Sequence, residues 1–213
     1  LCDFIHDLYD DGGSMAAGRA AYLGIEAVFP RLRGSFKLAR QAIRGWENGS
    51  PPQSYPPLPW PATVAIACTM MQDGRVLEGV AALLSFHCLL RVSEMTGLTR
   101  RDVAIRDDYR IGIVGFPGAV CIRSAKTSKR GRAQWAEIRD PEIASIVGWA
   151  IKDLRESEFI FPFSADHFRR VLHRTCANLG LSQEYVPHLL RHGCATILRL
   201  LAWSLEDIML VGS

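Results

Sequence analysis

Apolar residues recur along this chain at two spacings, and each spacing predicts a different kind of element. In the first fifty residues, and again from Ala62 to Thr96 and from Pro141 onward, they return every three or four positions, as on one face of a helix. Between Val103 and Ile138 they instead fall into short runs separated by glycine, proline and aspartate, the pattern of strands and turns. Phe4, Ile5, Leu8 and Tyr9 predict a first helix that Gly12-Gly13 ends, with Ser14 as N-cap of a second running through Ala21, Tyr22 and Ile25 to Pro30. A third spans about 35–46 and carries Lys37, Arg40 and Arg44 on one side. Six prolines between Gly49 and Pro61 then predict an extended, semi-rigid linker.

Beyond the prolines, 62–72 reads as a helix, Asp73-Gly74 as a turn, and 75–96 as one long helix that is apolar nearly all round and therefore buried. Arg91 falls at the inner end of that helix with Glu94 one turn later, a spacing that allows a buried ion pair. Runs at 103–106, 110–114, 119–123 and 133–138 predict a small antiparallel meander. Asp140-Pro141 opens a helix to about Arg155, Phe159–Phe161 is an apolar connector, and 165–179 is a helix with Arg169, Arg170 and Arg174 outward and Gly180 as its C-cap. A helix opened by Pro187 should bury Leu190, Cys194, Ile197, Leu198 and Leu201, and Ser204 starts a last one through Met209 and Leu210. The fold class is mainly α with a small antiparallel β-meander (α+β).

Composition narrows the function classes. With 48% hydrophobic and 22% charged residues over 213 positions, the chain can build a real core, and its longest apolar run is too short to span a bilayer. Six scattered cysteines read as reduced, buried thiols, which implies an intracellular location, nuclear if the source is eukaryotic. The net charge of +3 is modest, but Arg123, Lys126, Lys129, Arg130 and Arg132 crowd one predicted hairpin. His188 and Arg191 leave the same face of an otherwise apolar helix, and a half-buried cation requires an anion. His188 and His192 also stand four apart like paired metal ligands, but Leu189 occupies the glutamate place of the zinc-protease pattern and no third ligand supports it.

These features, taken in order, resemble the tyrosine recombinase (phage integrase) family over roughly residues 56–213. Leu90-Arg91-Val92-Ser93-Glu94 matches the setting of its first arginine, Lys126-Thr127-Ser128-Lys129 its hairpin lysine, and His188-Leu189-Leu190-Arg191 its H-x-x-R box. Pro57-Leu58-Pro59-Trp60 after the linker looks like mobile-element recombinases of the DIRS or crypton kind. The resemblance implies a partial helical core-binding domain (1–50), a proline-rich linker (51–61) and a recombinase-like catalytic domain (62–213) incomplete at its C-terminus. It implies that Arg91 and Arg191 clamp a scissile phosphate and that His188 donates a hydrogen bond or carries a proton. Lys126, with Lys129 as rival, would protonate the departing 5′-oxygen, and Glu94 would orient Arg91. Such a site needs no metal or cofactor, because fixed cations aimed at the non-bridging oxygens stabilise the pentacoordinate state, and arginine forks engage two oxygens at once. The implied partners are duplex DNA, reached through Lys129, Arg130, Arg132, Arg169, Arg170, Arg174, Lys37, Arg40 and Arg44, and further copies of the chain, a tetramer in the full-length family. No membrane partner is implied.

The chain departs from the family in its nucleophile. Its tyrosines, at 9, 22, 55, 109 and 185, all precede His188, and the family's His or Trp position falls at Ser213 or past the end of the chain. Ala202 replaces the glycine usual before the last helix. Two readings stay open: a fragment of a strand-exchange enzyme ending before its tyrosine, or a DNA-binding remnant that keeps the phosphate clamp. A type IB topoisomerase ranks third, and an unrelated helical scaffold with coincidental motifs fourth.

Overall fold

The computed structural model describes residues 1–49, 56–106, 108, 117–123, 133–182 and 184–212. The chain divides into two compact units, Leu1–Ser54 and Tyr55–Ser213. No helix among the described residues is long and apolar enough to cross a membrane.

The first unit is three helices: α1 (Cys2–Asp10), α2 (Met15–Val28) and α3 (Lys37–Gly49). The Ser14 hydroxyl accepts the Ala17 N–H at 3.2 Å, so the residue predicted to cap α2 does so. Ile5, Tyr22, Ala39, Ile43 and Trp46 form the core, with Tyr9 edge-on to Trp46.

The second unit is built around α5 (Val76–His87), which follows α4 (Trp60–Gln72) through the Asp73–Gly74 turn. Every residue of α5 from Gly79 to Phe86 is buried. The predicted single helix over 75–96 does not form. Leu89 adopts a left-handed conformation (φ 53°), its N–H bonds Phe86 O at 3.3 Å and that of Leu90 bonds Ser85 O at 3.0 Å. That is a Schellman ending with leucine in the place glycine usually takes. A separate short helix, α6 (Val92–Thr96), starts immediately after, with Arg91 extended at its N-cap. Apolar periodicity runs straight through the break because both segments are buried, so the pattern alone hid it.

Three strands, β1 (Val103–Ile105), β2 (Gly118–Ile122) and β3 (Gln134–Ile138), make an antiparallel meander in sequence order. Val103 stands opposite Val120, and Val120 opposite Ala136, so one face of the sheet is continuous with the core. The strand expected at 110–114 lies outside the described residues. Helix α7 (Pro141–Ile151) is capped by Asp140 as expected, but stops before Arg155. The residues after it turn so that the carbonyls of Glu156 and Glu158 accept the N–H groups of Arg101 and Arg100. Helix α8 (Ala165–Asn178), capped by Ser164, ends in a Schellman turn with Gly180 at φ 66°. Helices α9 (His188–Leu200) and α10 (Leu205–Gly212) follow.

Helix α9 buries Leu189, Leu190, Gly193, Cys194 and Leu198. Leu201, expected in that stripe, is 66% exposed. The reason is another Schellman turn: Ala202 sits at φ 62° and Trp203 N–H bonds Leu198 O at 3.1 Å, which swings the chain off the α9 axis. Ile208 is buried against the main core, and the Arg139 guanidinium lies 4.2 Å from the centre of the Trp203 ring. The Leu210 side chain lies outside the described residues.

One close approach fixes α9 in place. The Leu58 N–H bonds the Leu189 carbonyl at 3.3 Å, and the Leu58 backbone passes directly over Gly193. A Cβ at 193 would lie 1.9 Å from Leu58 O and 2.7 Å from the Phe86 ring, so only glycine fits. Gly193→Ala should therefore destabilise the second unit by about 2–3 kcal/mol, read as a lower denaturation midpoint. Gly148→Ala on α7, whose Cβ would meet Ile105 at an ordinary 3.6 Å, should instead be neutral or stabilising by up to ~1 kcal/mol.

Candidate functional site

The turn between α5 and α6 presents Arg91. As N-cap of α6 it holds an extended backbone (φ −73°, ψ 151°). Glu94, three residues into the helix, accepts the Arg91 backbone N–H at 2.7 Å and its Nη1–H at 2.6 Å. One carboxylate thus caps the helix and holds the guanidinium, and the Glu94 side chain is itself only 4% exposed. The buried Arg–Glu pair allowed by the spacing is present, but across a helix start rather than along a continuous helix.

Arg191 comes to the same place from α9. Its Nη1 donates to the carbonyl of Leu89 at 2.6 Å, a contact spanning 102 residues of sequence. Burial, and then the charge of Arg91, weaken its hold on its proton, while Glu94 strengthens it. An arginine stays charged under such pressure, so two guanidinium groups lie within one another's field. His188 lies in the same field. Partial desolvation, then His192, Arg191 and Arg91, hold its imidazole below the ordinary value. The Nε2 atoms of His188 and His192 are 2.8 Å apart.

The structure thus gathers Arg91, Glu94, His188 and Arg191. The hairpin residues Lys126, Lys129, Arg130 and Arg132, and Ser213, lie outside the described residues. Arg123, at the base of that hairpin, pairs with the buried carboxylate of Asp102. Burial pushes that carboxyl up, but hydrogen bonds from Thr99 and Arg123 outweigh it and leave its pKa below the ordinary range.

On α8, Arg169, Arg170 and Arg174 line one open groove with His173 and Ala177, and Arg169 also pairs with Asp166. On α3, Lys37, Arg40 and Arg44 are all exposed, and Arg40 also donates to the Tyr22 hydroxyl at 2.7 Å beside Glu26.

Two residues supporting this region escaped the sequence reading. Leu89 supplies the carbonyl for Arg191, and no side-chain pattern signals a left-handed leucine. His87, the last residue of α5, accepts the N–H groups of Arg139 (2.9 Å) and Asp140 (3.4 Å) at Nε2, tying α5 to the start of α7. Nearby, Cys88 and Cys194 donate weakly to the carbonyls of Glu137 and His87. Burial pushes both thiols up, Cys194 to about 11, so they are packing groups rather than nucleophiles. Among the described residues, no three His, Cys, Asp or Glu side chains cluster as a metal site would require.

Residues 65–211 match the model of the phage integrase family. The chain belongs to that family. The integrase of transposon Tn1549 (residues 82–397), in complex with circular intermediate DNA, is similar with a TM-score of 0.61 at 14% identity, over 99% of this chain and 75% of that one. XerA recombinase is similar at 0.56 and 18%, over 90% and 71%. XerH site-specific recombinase, bound to its difH substrate before cleavage, is similar at 0.60 and 14%, over 98% and 61%. At these identities the likeness is one of fold: a helical, tyrosine-recombinase-type architecture with a small antiparallel sheet. None of the curated protein sequences matches the chain.

The His87 contacts give this integrase-family fold a pH dependence. Burial foremost holds the His87 imidazole below its ordinary value, and its bonds to Arg139 and Asp140 require an unprotonated Nε2. The folded state therefore binds fewer protons than the unfolded one. The stabilisation is complete above the unfolded value of about 6.5 and is lost as pH falls below it, through the folded value. His87→Gln keeps an acceptor but does not titrate. Denaturant titrations between about pH 7 and 5 should show a shallower loss of stability in His87→Gln than in the parent.

Proposed function

We propose that this chain binds duplex DNA and holds one phosphodiester between Arg91 and Arg191, as the phosphate-binding part of a site-specific recombinase that cleaves and rejoins strands through a 3′-phosphotyrosine. The observation that carries this reading is the placement of two arginines, from opposite ends of the second unit, in one another's field with His188 beside them. Glu94 offsets part of the repulsion between the two cations, and an anion entering beside them would offset more. A phosphodiester offers two non-bridging oxygens, which suit planar guanidinium forks.

In this reading Arg91 and Arg191 stabilise the charge that grows on those oxygens in the pentacoordinate state. Glu94 orients Arg91, and the Leu89 carbonyl orients Arg191. His188 contributes a hydrogen bond or a proton, and Lys126 or Lys129 protonates the leaving 5′-oxygen. Residues 1–50 act as a partial core-binding domain, 51–61 as linker and 62–213 as the catalytic domain, and copies of the chain associate on DNA. The α8 arginines, with Lys37 and Arg44, contact flanking phosphates. Arg40, bonded to Tyr22 but still exposed, joins them.

A second reading has its own observation. All five tyrosines precede His188, and Tyr185 packs partly buried against the core. Residues 1–213 by themselves then act as a DNA-binding module rather than a cleaving enzyme.

Affinity of residues 1–213 for a mixed-sequence duplex should fall steeply with salt, with a log–log slope of about −0.9 per phosphate neutralised. Arg191→Ala should weaken binding by about tenfold or more with Arg91→Ala in the same range, while Arg169→Ala with Arg170→Ala should lower the salt slope itself. Salt-insensitive binding, or none at low salt, overturns the DNA reading. On a nicked suicide duplex, residues 1–213 should form no covalent adduct. An adduct would reassign the nucleophile to Tyr185, and an adduct from the full gene product alone would favour the recombinase over the remnant.

A further inference from the structure

His188 and His192 meet directly on the surface of α9. The residues are one turn apart on α9, with ring centroids 4.3 Å apart and planes inclined at 61°. Their Nε2 atoms approach to 2.8 Å. Two imidazole nitrogens at that distance hold one hydrogen between them, so one ring donates and the other accepts. The geometry therefore admits two charge states. Both rings are neutral, in opposite tautomers, or one extra proton makes the donor ring an imidazolium that still donates to its neutral partner. A doubly protonated pair would point two N–H groups at each other, and is closed to this geometry.

We propose that His188 and His192 work as one unit that stores a single added proton and takes it up when a DNA phosphate enters beside Arg191, which makes His192 a positioning residue for His188. The inference rests on the phosphate-site reading above. The charges around the pair supply the coupling. Arg191 on α9 and Arg91 from the turn before α6 both oppose an added proton on His188, and Glu94 stands behind them. The His87 carbonyl at the end of α5 and the Cys88 thiol just after it face Cys194 on α9. Helix α4 carries no acidic or basic side chain, and α10 opens with Glu206 and Asp207, the latter bonded to Ser204. Among the described residues, the charges that bear on His188 are thus positive and oppose an added proton. An anionic phosphate between the arginines cancels that opposition, and the pair gains its proton from solvent. By linkage the effect is reciprocal: added protons tighten phosphate binding.

The test uses residues 1–213 with ¹⁵N-labelled histidine, and a mixed-sequence duplex oligonucleotide as probe. In the free protein, the ring nitrogens of His188 and His192 should move together with one midpoint in the first titration step. Calorimetry at about pH 7 in two buffers of different ionisation enthalpy should show proton uptake on duplex binding. His192→Gln retains a hydrogen-bonding partner for His188 but cannot store a proton. It should abolish most of that uptake while leaving the salt slope unchanged, and His192→Asn serves the same purpose if the glutamine variant folds poorly. Independent midpoints for the two rings, or undiminished uptake in His192→Gln, overturn the shared proton. Absence of duplex binding by the parent chain overturns the phosphate-site reading, and with it the coupling. That failure differs from failure of the pair, because the midpoints are read without DNA.

Discussion

Two guanidinium groups must stay charged, partly dehydrated and near one another before any ligand arrives. Much of the second unit can be understood as the means of meeting that requirement. Like charges in a protein interior repel strongly, and each must also replace the hydrogen bonds it made to water. Arg91 does so through Glu94, which is nearly buried and engages both the main chain and the guanidinium of Arg91. Arg191 donates to the main-chain carbonyl of Leu89, a dipole that helps hold the side chain in place.

The scaffold reaches this arrangement by ending its helices in a particular way. Helices α1, α4, α5, α8 and α9 close with the same reversed turn, at Gly12, Gly74, Leu89, Gly180 and Ala202. Only α5 and α9 do so without glycine. A non-glycine residue there costs about 1–2 kcal/mol. At Leu89 the side chain is almost fully buried, and burial of a leucine contributes about 1.5–3 kcal/mol, so the strain is offset by packing. The exposed Ala202 has no such compensation, and its turn instead delivers Trp203 to Arg139 and Ile208 to the core. Strained turns thus stand at the C-terminal ends of the two helices that lead to and carry the arginines. In most proteins such strain concentrates at functional positions.

Much of this was legible in the residues themselves. Ser14 and Asp140 cap the helices that follow them, Gly180 ends α8, and alternation between Val103 and Ile138 marks the meander. The juxtaposition of His188 and Arg191 on one face of α9 followed from their spacing. What stayed hidden had definite causes. The break after His87 is invisible to periodicity, because the residues on both sides are buried and because leucine does not announce a left-handed conformation. The exposure of Leu201 and the burial of Ile208 both depend on the turn at Ala202, where alanine gives no sign of a reversal. The bond from Arg40 to the Tyr22 hydroxyl depends on another helix, which no pattern within α3 encodes. Local signals read well here, and the misses fall where one element is shaped by another.

The carbonyl of Leu89 has one more implication, for the genetics of this site. Every amino acid carries a main-chain carbonyl, so no codon change at 89 removes the acceptor. Scanning by side-chain replacement would score that position by volume and turn geometry, and would pass over the group that directs Arg191. Loss of the contact would come only through a change of backbone path or the loss of Arg191 itself. Variation among relatives can therefore alter the residue at 89 while keeping its role intact, and the anchor would leave little trace in a sequence comparison.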